Sequence, residues 1–403
     1  MRILFLAHRL PFPPHKGEKI RALNIIKRLL KHHEIFVGCL IDERADVAAV
    51  PALKRLVADV RFRRIHRRLK RMCAPVSMLR GRAITVDYFY SGALQRELDA
   101  LIERERIEAV LCSSSPMAEY VFRSRQRAQL AALPKVMDLI DVDSVKWAQY
   151  AARSAPWART VFRREAARLG AFEQRIAREF ERVLVVSESE ARCFPGRARP
   201  ANLAVMGNGV DLDYFRPGRS GRAITRAPAV VFTGVMDYRP NVDGIGWFIE
   251  RAWPQIARAI PGAQLYVVGS RPDSTVRALA RRPGVTVTGF VEDVRDYLSG
   301  ASVCIAPLRI ARGVQNKVLE AMAMGKPVVL TPQAFEGIEA KPPDDLIVAD
   351  EPRFAPEVIA LLRDPQRGER IGRNARAVVE SHYAWSARLE LLDRLFPPAS
   401  LPQ

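Results

Sequence analysis

The sequence has few of the features that mark membrane-spanning, secreted or metal-binding proteins. No apolar run in its 403 residues reaches the roughly 18 residues that a membrane-spanning helix needs. The five cysteines are odd in number, far apart and without zinc-ligand spacing, which predicts reduced core thiols. The amino-terminal stretch has a short apolar core and no small-residue cleavage site, so it is predicted to be a first strand and not a signal peptide. These absences predict a cytoplasmic protein.

Acidic residues are also scarce relative to basic ones. The chain has 64 Lys and Arg against 44 Asp and Glu, a formal net charge of +20. That sign points to an anionic partner such as membrane lipid, nucleic acid or an anionic substrate, although arginine excess also arises from compositional bias. The segment 61–72, RFRRIHRRLKRM, fits a basic amphipathic helix on an anionic bilayer. Part of it, 60–65, alternates as a strand would, and the pattern leaves both structures open.

Apolar strand-like runs alternate with helical stretches along the whole chain. This pattern is typical of parallel sheets with helices on both faces. The length and a hydrophobic content of 48% suit two domains of roughly 200 residues each. Two similar sets of runs are separated by 216–228, which lacks apolar periodicity and carries Pro and Gly at both ends. We therefore predict an α/β fold with two successive sheets, followed by an amphipathic helix over 385–396.

The most informative stretch, 302–331, reads as a buried strand, a basic loop, a helix and a second buried strand. The helix is predicted to start near Gly313, where a glycine would expose backbone N–H groups and the positive end of the helix dipole to an anion. Lys317 and Glu320 follow on the same face, away from the apolar stripe. The lysine suits phosphate and the glutamate suits two sugar hydroxyls. A nucleoside diphosphate fits this face, and so does an ordinary crossover helix with a solvated polar side.

Several motifs resemble one enzyme family. LEAMAMGKPVV at 319–329 resembles the donor-site helix of the retaining nucleotide-sugar glycosyltransferases with the GT-B fold, glycosyltransferase family four in particular. NGVD at 208–211, VVFTGVMDYRPNVDGIGWF at 230–248 and VTVTGFVEDV at 285–294 resemble further segments of that family in the same order. Within the family the chain looks closest to sugar transferases associated with exosortase-linked exopolysaccharide gene clusters.

The resemblance implies a domain organisation. It implies two Rossmann-like domains whose parallel sheets face a central cleft. The acceptor-side domain would cover 1–205, with the terminal helix of 384–403 packed back on it, and the nucleotide-sugar domain would cover 206–383.

The resemblance also implies a donor site in the second half of the chain. In that site Lys317 and nearby arginines would stabilise the departing diphosphate. The backbone of Val291 would read the base with Phe290 packed nearby, although Phe290 is equally compatible with a core position. The implied donor-binding residues are Gly234, Arg239, Phe290, Val291, Arg309, Arg312, Gly313, Val314 and Glu320.

One departure from the family pattern concerns its paired glutamates. Glu320 matches the second of them, whereas Arg312 stands where the first glutamate contacts the donor sugar in other members. The identity of the sugar therefore does not follow from the resemblance.

The acceptor side is predicted at the ends of two strands in the first half. The loop 8–17, HRLPFPPHKG, follows the first strand, and ligands of open α/β sheets bind beyond the carboxyl ends of strands. By resemblance it faces the acceptor, with His8 as a catalytic candidate and Gly17 as a point where substrate can approach the backbone closely. A proline-rich loop is also common as a purely structural connection between a strand and a helix. In DLIDVDS, 138–144, Asp141 would replace a family histidine that contacts the acceptor or the transferred sugar. Asp141 and Asp143 could alternatively hold a divalent metal, or Asp143 or Ser144 could cap a helix near Val145.

The sequence thus predicts a hexosyltransferase that retains anomeric configuration. Its donor would be a nucleotide diphosphate sugar, and its acceptor a lipid-linked or other saccharide at the inner face of the cytoplasmic membrane. The predicted catalytic residues are Lys317, Asp141 and His8, with no metal, no other cofactor and no nucleic-acid partner. Two alternatives remain: a nucleotide-sugar epimerase of the same fold, and a basic membrane- or nucleic-acid-binding module with a vestigial nucleotide site.

Overall fold

The computed structural model describes residues 1–14, 16–66, 74–152, 154–218, 228–311 and 313–398. The chain divides into two compact units. The first comprises Met1–Gly207 and the segment that starts at Leu389, and the second comprises Asn208–Arg388. Which unit takes the acceptor and which the donor stays a prediction.

The first unit is built around a parallel sheet. Its strands are β1 Arg2–Ala7, β2 Glu34–Ile41, β3 Asp59–Arg64, β4 Ala109–Ser113, β5 Lys135–Ile140, β6 Arg182–Val185 and β7 Leu203–Val205. Among the described residues the sheet is seven-stranded, in the order β3-β2-β1-β4-β5-β6-β7. Its helices are α1 Gly17–Leu29, α2 Val50–Lys54, α3 Ala74–Leu79, α4 Ile84–Tyr88, α5 Gly92–Arg104, α6 Ala118–Phe122, α7 Arg127–Ala131, α8 Asp143–Ala152, α9 Pro156–Glu179 and α10 Glu188–Arg192, with 3₁₀ turns at Arg44–Ala49 and Ser115–Met117.

The second unit repeats this plan with a smaller sheet. Its strands are β8 Ala229–Thr233, β9 Gln264–Val268, β10 Val285–Gly289, β11 Val303–Ala306, β12 Val328–Leu330 and β13 Ile347–Val348. The described part of the sheet has six strands in the order β10-β9-β8-β11-β12-β13. Its helices are α11 Arg239–Trp247, α12 Trp253–Ala259, α13 Ser274–Leu279, α14 Arg295–Gly300, α15 Asn316–Ala323, α16 Pro332–Phe335, α17 Glu351–Arg363, α18 Pro365–His382 and α19 Trp385–Arg388, with a π-helical turn at Phe248–Ala252.

The central strands have the composition of strands buried on both faces. All residues of β4, β8 and β11 are buried, because helices cover each side of a parallel sheet and leave no solvated face. Cys39, Cys112 and Cys304 lie buried in strands as reduced thiols, as predicted. The prediction of two parallel α/β sheets is confirmed. Among the described helices, none is long and apolar enough to cross a membrane.

The predicted terminal helix over 385–396 is two helices. It breaks between α19 and α20, Glu390–Leu395, and only α20 belongs to the first unit. There the Arg28 Nε atom donates to Asp393 Oδ1 at 2.9 Å. The His33 ring donates to the Phe396 carbonyl at 3.0 Å. These bonds hold the end of the chain against the helix and strand that flank residues 28–33.

The basic segment 61–72 is not a helix at its start. Residues 61–64 belong to β3, which pairs in parallel with β2. Arg61 forms an ion pair with Asp59 at 2.7 Å, and Arg63 pairs with Glu97. Residues 61–64 therefore form a strand that pairs with β2. The helix prediction is wrong over these residues, and the strand alternative is right. Residues 67–72 of the segment lie outside the described residues.

Each sheet contains a switch point, where the strand order changes direction although all strands run parallel. In the first sheet β1 lies between β2 and β4, and in the second sheet β8 lies between β9 and β11. The loops that leave the two neighbouring strands then turn to opposite faces, which opens a crevice at the carboxyl edge. These two places are where ligand sites are expected.

Candidate active site

The switch point of the second sheet brings two helices together. α11 follows β8, and α15 follows β11 after a loop. A Cβ added to Gly244 of α11 would lie 2.6 Å from the carbonyl oxygen of Pro307, which begins that loop. Since only a glycine allows this approach, α11 packs directly on the chain that leaves β11. Side chains of α11 and α15 can therefore meet.

Three residues from these elements form the centre of the site. The Lys317 Nζ atom donates to Asn241 Oδ1 at 2.5 Å, and the Asn241 Nδ2 atom donates to the Val235 carbonyl at 2.9 Å. A Cβ at Gly234 would lie 2.6 Å from Asn241 Nδ2 and 3.0 Å from Lys317 Nζ. The loop after β8 must therefore carry a glycine to leave room for the lysine. The predicted residues Gly234 and Lys317 are together, and Asn241 is a partner that the sequence analysis missed.

The ammonium of Lys317 is poorly solvated and lacks a strong counter-ion. Its Nζ atom lies 4.4 Å from the centre of the Phe232 ring. Within the described residues no carboxylate lies close enough to form an ion pair with it. Burial lowers the pKa of Lys317 to about 7, against the weaker opposing effect of Glu320. An anion placed beside this group would gain a nearby positive charge and restore the usual pKa.

Glu320 lies on the same face of α15 as Lys317, three residues further on. No hydrogen bond or ion pair to its carboxylate is found among the described residues. Burial raises the pKa of Glu320 to about 7, and Lys317 partly opposes the shift. The side chain is half-buried, and its carboxylate is available to accept hydrogen bonds from a ligand. Two vicinal hydroxyl groups would donate such bonds.

The helix begins later than the sequence predicted. Gly313 has a φ of +61°, and the first residue of α15 is Asn316, with Gln315 as its N-cap. A left-handed residue cannot belong to a right-handed helix, so Gly313 turns the chain before the helix instead of starting it.

The start of α15 still offers unpaired donors. Within the described residues, no protein oxygen accepts a hydrogen bond from the backbone N–H groups of Val314, Asn316 or Lys317. Such N–H groups, together with the helix dipole, favour a bound anion. The predicted anion site is thus shifted along the chain, from Gly313 to the amides of Val314, Asn316 and Lys317.

The arginines near the site differ in availability. Arg309 makes two bonds to the Asp243 carboxylate, 3.0 Å from Nε and 2.6 Å from Nη2, and these bonds raise its pKa. Arg239, the first residue of α11, is exposed at the same end of the helix. Arg312 lies outside the described residues. The Asp243 pairing of Arg309 was not found from the sequence.

The turn after β10 exposes an aromatic ring. Phe290 follows Gly289 and is 75% exposed, while Val291 is half-buried and packs on the core. The core interpretation of Phe290 is therefore wrong. Nearby, Asp293 is held by Arg295 at 2.8 Å, and the guanidinium of Arg295 stacks on the Tyr214 ring at 3.6 Å. The turn thus presents the exposed Phe290 ring next to the contacts that Arg295 makes with Asp293 and Tyr214.

His8 lies at the carboxyl end of β1, beside the switch point of the first sheet. Its ring packs edge-on against Phe89, with ring centres 5.3 Å apart. Burial, aided by the charge of Arg9, lowers the pKa of His8 to about 4. At neutral pH the imidazole is therefore uncharged and has one nitrogen free of a proton.

Two non-glycine residues near His8 have left-handed backbone angles. Ser114, after β4, has a φ of 81°, and Ile140, at the end of β5, has a φ of 70°. Such angles are unfavourable for a β-branched residue and cost of order 1–3 kcal/mol each. Strain of this kind clusters at functional sites, so it marks the edge formed by β1, β4 and β5. No sequence pattern predicts this backbone strain, because neither serine nor isoleucine favours a positive φ.

The acidic residues that follow β5 differ in their surroundings. Asp141 is exposed, whereas Asp143 is the first residue of α8 and accepts from Ser115 Oγ at 3.1 Å. The helix begins at Asp143, not near Val145. Its first N–H groups are bound by a buried carboxylate that the sequence analysis missed: the Ser144 N–H donates to Glu173 at 3.1 Å. The proposed capping role therefore belongs to Glu173.

Two further predictions concern this edge. Gly17 is the exposed first residue of α1, after an extended Lys16. Among the described residues, no group of three or more His, Cys, Asp or Glu side chains is arranged to hold a metal ion.

The comparison with known families gives a match within the second unit. Residues 227–364 match the family model described as glycosyl transferases group 1. This part of the second unit is therefore similar to group 1 glycosyltransferases. A protein of Corynebacterium glutamicum described as a GDP-mannose-dependent monoacylated α-(1-6)-phosphatidylinositol monomannoside mannosyltransferase is 32% identical over 210 residues, or 47% of this chain. The match spans 54% of that relative, about half of its length.

Solved structures resemble the whole chain. Sucrose-phosphate synthase from Thermosynechococcus elongatus is similar with a TM-score of 0.69 and 18% identity, covering 98% of each chain. HepE of Anabaena in complex with UDP is similar with a TM-score of 0.68 and 16% identity, covering 98% of this chain and 99% of the other. These likenesses show the fold, so the predicted GT-B class is confirmed.

Proposed function

We propose that this chain is a group 1 glycosyltransferase that moves a hexose from a nucleoside diphosphate sugar to a lipid-linked saccharide, with retention of anomeric configuration. The observation that carries the proposal is the pair of unsatisfied groups on α15. Lys317 lacks an anion and Glu320 lacks donors, and they lie on one helix face at the switch point of the second sheet. A diphosphate and a ribose diol are the two parts of one ligand that satisfy both.

The donor side would act by electrostatics and positioning. Negative charge grows on the diphosphate as the glycosidic bond breaks, and fixed positive charges and N–H dipoles are most effective where charge develops. The Lys317 ammonium and the N–H groups of Val314, Asn316 and Lys317 would perform this task, with Arg239 and Arg309 at the near end of α11. The Phe290 ring and the Val291 backbone would contact the base.

The acceptor side would use the strained edge of the first unit. There a neutral His8 can accept a hydrogen bond from an acceptor hydroxyl, and Asp141 is exposed on the neighbouring strand end. Gly17 would allow substrate to approach the start of α1. These assignments follow the resemblance to family four and the position of the residues at the carboxyl edge.

The acceptor and its location are proposed from three observations. The Corynebacterium relative is named for a phosphatidylinositol mannoside acceptor. The net charge of +20 favours an anionic surface, here the inner face of the cytoplasmic membrane. The resemblance to exosortase-linked transferases favours a role in exopolysaccharide synthesis.

A thermal-shift screen against UDP-, GDP- and dTDP-sugars tests the proposal. One nucleotide sugar is expected to raise the midpoint of unfolding, because binding to the native state stabilises it. Incubation of that sugar without an acceptor then separates the alternatives. A transferase leaves the sugar intact or slowly hydrolyses it, whereas conversion to the epimer would show an epimerase.

The affinity for the nucleoside diphosphate is expected to fall as the pH rises above about 7. Burial holds the pKa of free Lys317 at about 7, and a bound diphosphate raises it, so binding takes up a proton. The expected slope approaches tenfold per pH unit. Calorimetry should use the Glu320→Gln variant, because ionisation of Glu320 would act in the opposite direction. The same slope after Lys317→Met would show that another group takes up the proton.

Activity is expected to survive EDTA. Lys317 and the helix amides supply positive charge that a divalent cation would otherwise provide. The measurement is product formation with excess chelator, alongside a metal-dependent glycosyltransferase as a positive control for chelation. Loss of activity that Mn²⁺ or Mg²⁺ restores would instead assign Asp141 and Asp143 as metal ligands.

A further inference from the structure

α3 presents an apolar face to solvent. Leu79, its last residue, is 88% exposed, and Val76, three residues before it, is 47% exposed. Pro75 and Arg80 are also exposed on this side, while Ser77 is buried beneath. Single exposed apolar residues are normal on protein surfaces. Here two of them share one helix face, so the arrangement has to be judged with its neighbours.

Arginines of α9 lie along the same helix. The Arg164 Nη2 atom donates to the Met78 carbonyl at 2.7 Å, and Nη1 donates to the Arg82 carbonyl at 3.1 Å. The guanidinium of Arg168, one turn further along α9, lies 3.9 Å from the Cβ position of Gly81. The carboxyl end of α3 is therefore flanked by cations. We call the surface formed by Val76, Leu79, Arg80, Arg164 and Arg168 the α3 face.

The carboxylates packed nearby do not neutralise the α3 face. Glu165, next to Arg164 in sequence, is fully buried and accepts from the backbone N–H groups of Ile84 and Thr85 at 2.7 and 2.8 Å. Asp87 and Glu119 are both paired with Arg82. Arg80 and Arg168 thus remain exposed cations beside exposed aliphatic side chains.

We propose that the α3 face docks the first unit on an anionic lipid bilayer. Aliphatic side chains at the end of a helix can enter the acyl boundary, while arginines at the same level bind lipid phosphates. A soluble anion or an acidic protein would be attracted by the arginines but would leave Leu79 in water or need a matching apolar groove. Charge complementarity together with exposed leucine therefore favours the bilayer.

This surface differs from the basic segment predicted from sequence. Arg61 and Arg63 lie on β3 and are paired with carboxylates, so these two arginines offer little free charge to a membrane. The docking proposal depends on the proposed function in one respect only: the purpose of docking would be to bring the enzyme to a lipid-linked acceptor.

The test is co-sedimentation of the full chain with vesicles. Binding to phosphatidylcholine vesicles that contain phosphatidylglycerol should exceed binding to pure phosphatidylcholine and should fall with added salt. Leu79→Ser should weaken binding about tenfold. Arg80→Ser with Arg168→Ser should weaken it about 25-fold, at about fivefold for each arginine near an anionic surface.

Matched controls use exposed residues away from the face. Leu56→Ser replaces another exposed leucine of the first unit, and Arg127→Ser with Arg353→Ser removes the same charge. Both controls should bind vesicles as the unchanged protein does. If the control arginine pair weakened vesicle binding as much as Arg80→Ser with Arg168→Ser, binding would depend on net charge alone, and the proposal would be overturned. Equal binding of Leu79→Ser and the unchanged protein would also overturn it.

Two further measurements distinguish membrane docking from self-association and from the proposed nucleotide-sugar binding. Sedimentation velocity should show the same oligomeric state for the Leu79→Ser variant and the unchanged protein; dissociation of an oligomer by Leu79→Ser would identify a self-association face instead. The nucleotide-sugar thermal shift should be unchanged in all docking variants. Vesicle binding without any nucleotide-sugar shift would leave the docking face standing and remove the proposed function.

Discussion

Replacement of Lys317 by alanine is expected to lower kcat and kcat/KM together, by about 100- to 1000-fold. The loss should appear in kcat because charge on the diphosphate is greater in the transition state than in the bound donor. In the structure the Lys317 ammonium bonds to Asn241 and lies over an aromatic ring, and no carboxylate of the described residues is within ion-pair distance, so it is available to an anion. Steady-state kinetics with the donor identified by thermal shift measures the effect.

The control for this prediction is Lys341→Ala, which removes an exposed lysine of the same unit. Circular dichroism should show that both variants are folded, since neither loses a buried ion pair. A rise in KM with unchanged kcat would make Lys317 a ground-state anchor. The charge stabilisation would then pass to Arg309 or Arg312.

The sequence predicted the sheets well because their signal is local. Each central strand is a short run of mostly apolar residues, and such runs are found where both faces of a parallel sheet are covered. β7, Leu203–Val205, was missed because three residues at a sheet edge are too few to show a period. The basic segment failed for a related reason, since alternation and helical spacing cannot be separated over six residues.

Within the site, side chains on one helix were predictable and contacts between helices were not. Lys317 and Glu320 lie three residues apart on α15, so helix geometry places them on one face. Asn241 meets Lys317 only because Gly234 and Gly244 allow three backbone segments to approach closely. That packing depends on residues far apart in sequence, and a single sequence carries no signal for it.

Unusual backbone angles were the second feature that could not be predicted from the sequence. Gly313 was read as a helix start because glycine there frees N–H groups, whereas its positive φ makes it the turn before the helix. Ser114 and Ile140 also have positive φ, and their residue types argue against it. The surrounding structure imposes such angles, so they are visible only after the fold is known.

Replacement of Glu320 by glutamine is expected to weaken binding of the nucleoside diphosphate about 10- to 100-fold, or roughly 1.5–3 kcal/mol. A carboxylate that accepts from the two ribose hydroxyls forms charge-assisted bonds, and glutamine offers one neutral acceptor in their place. The unpaired state of Glu320 and its pKa, raised to about 7 by burial, indicate a group that gains from those donors. Isothermal titration calorimetry of the two proteins measures the difference.

A dideoxy nucleotide makes this test specific to the ribose. The 2′,3′-dideoxy nucleoside diphosphate lacks both hydroxyls, so it should bind the unchanged protein and Glu320→Gln with similar, weak affinity, and the double-mutant cycle should give a coupling of about the full loss. Glu369→Gln, which neutralises an exposed carboxylate of the same unit, should leave both affinities unchanged. If Glu320→Gln weakened the dideoxy ligand as much as the natural one, the carboxylate would act through the local charge balance with Lys317 and not through the ribose.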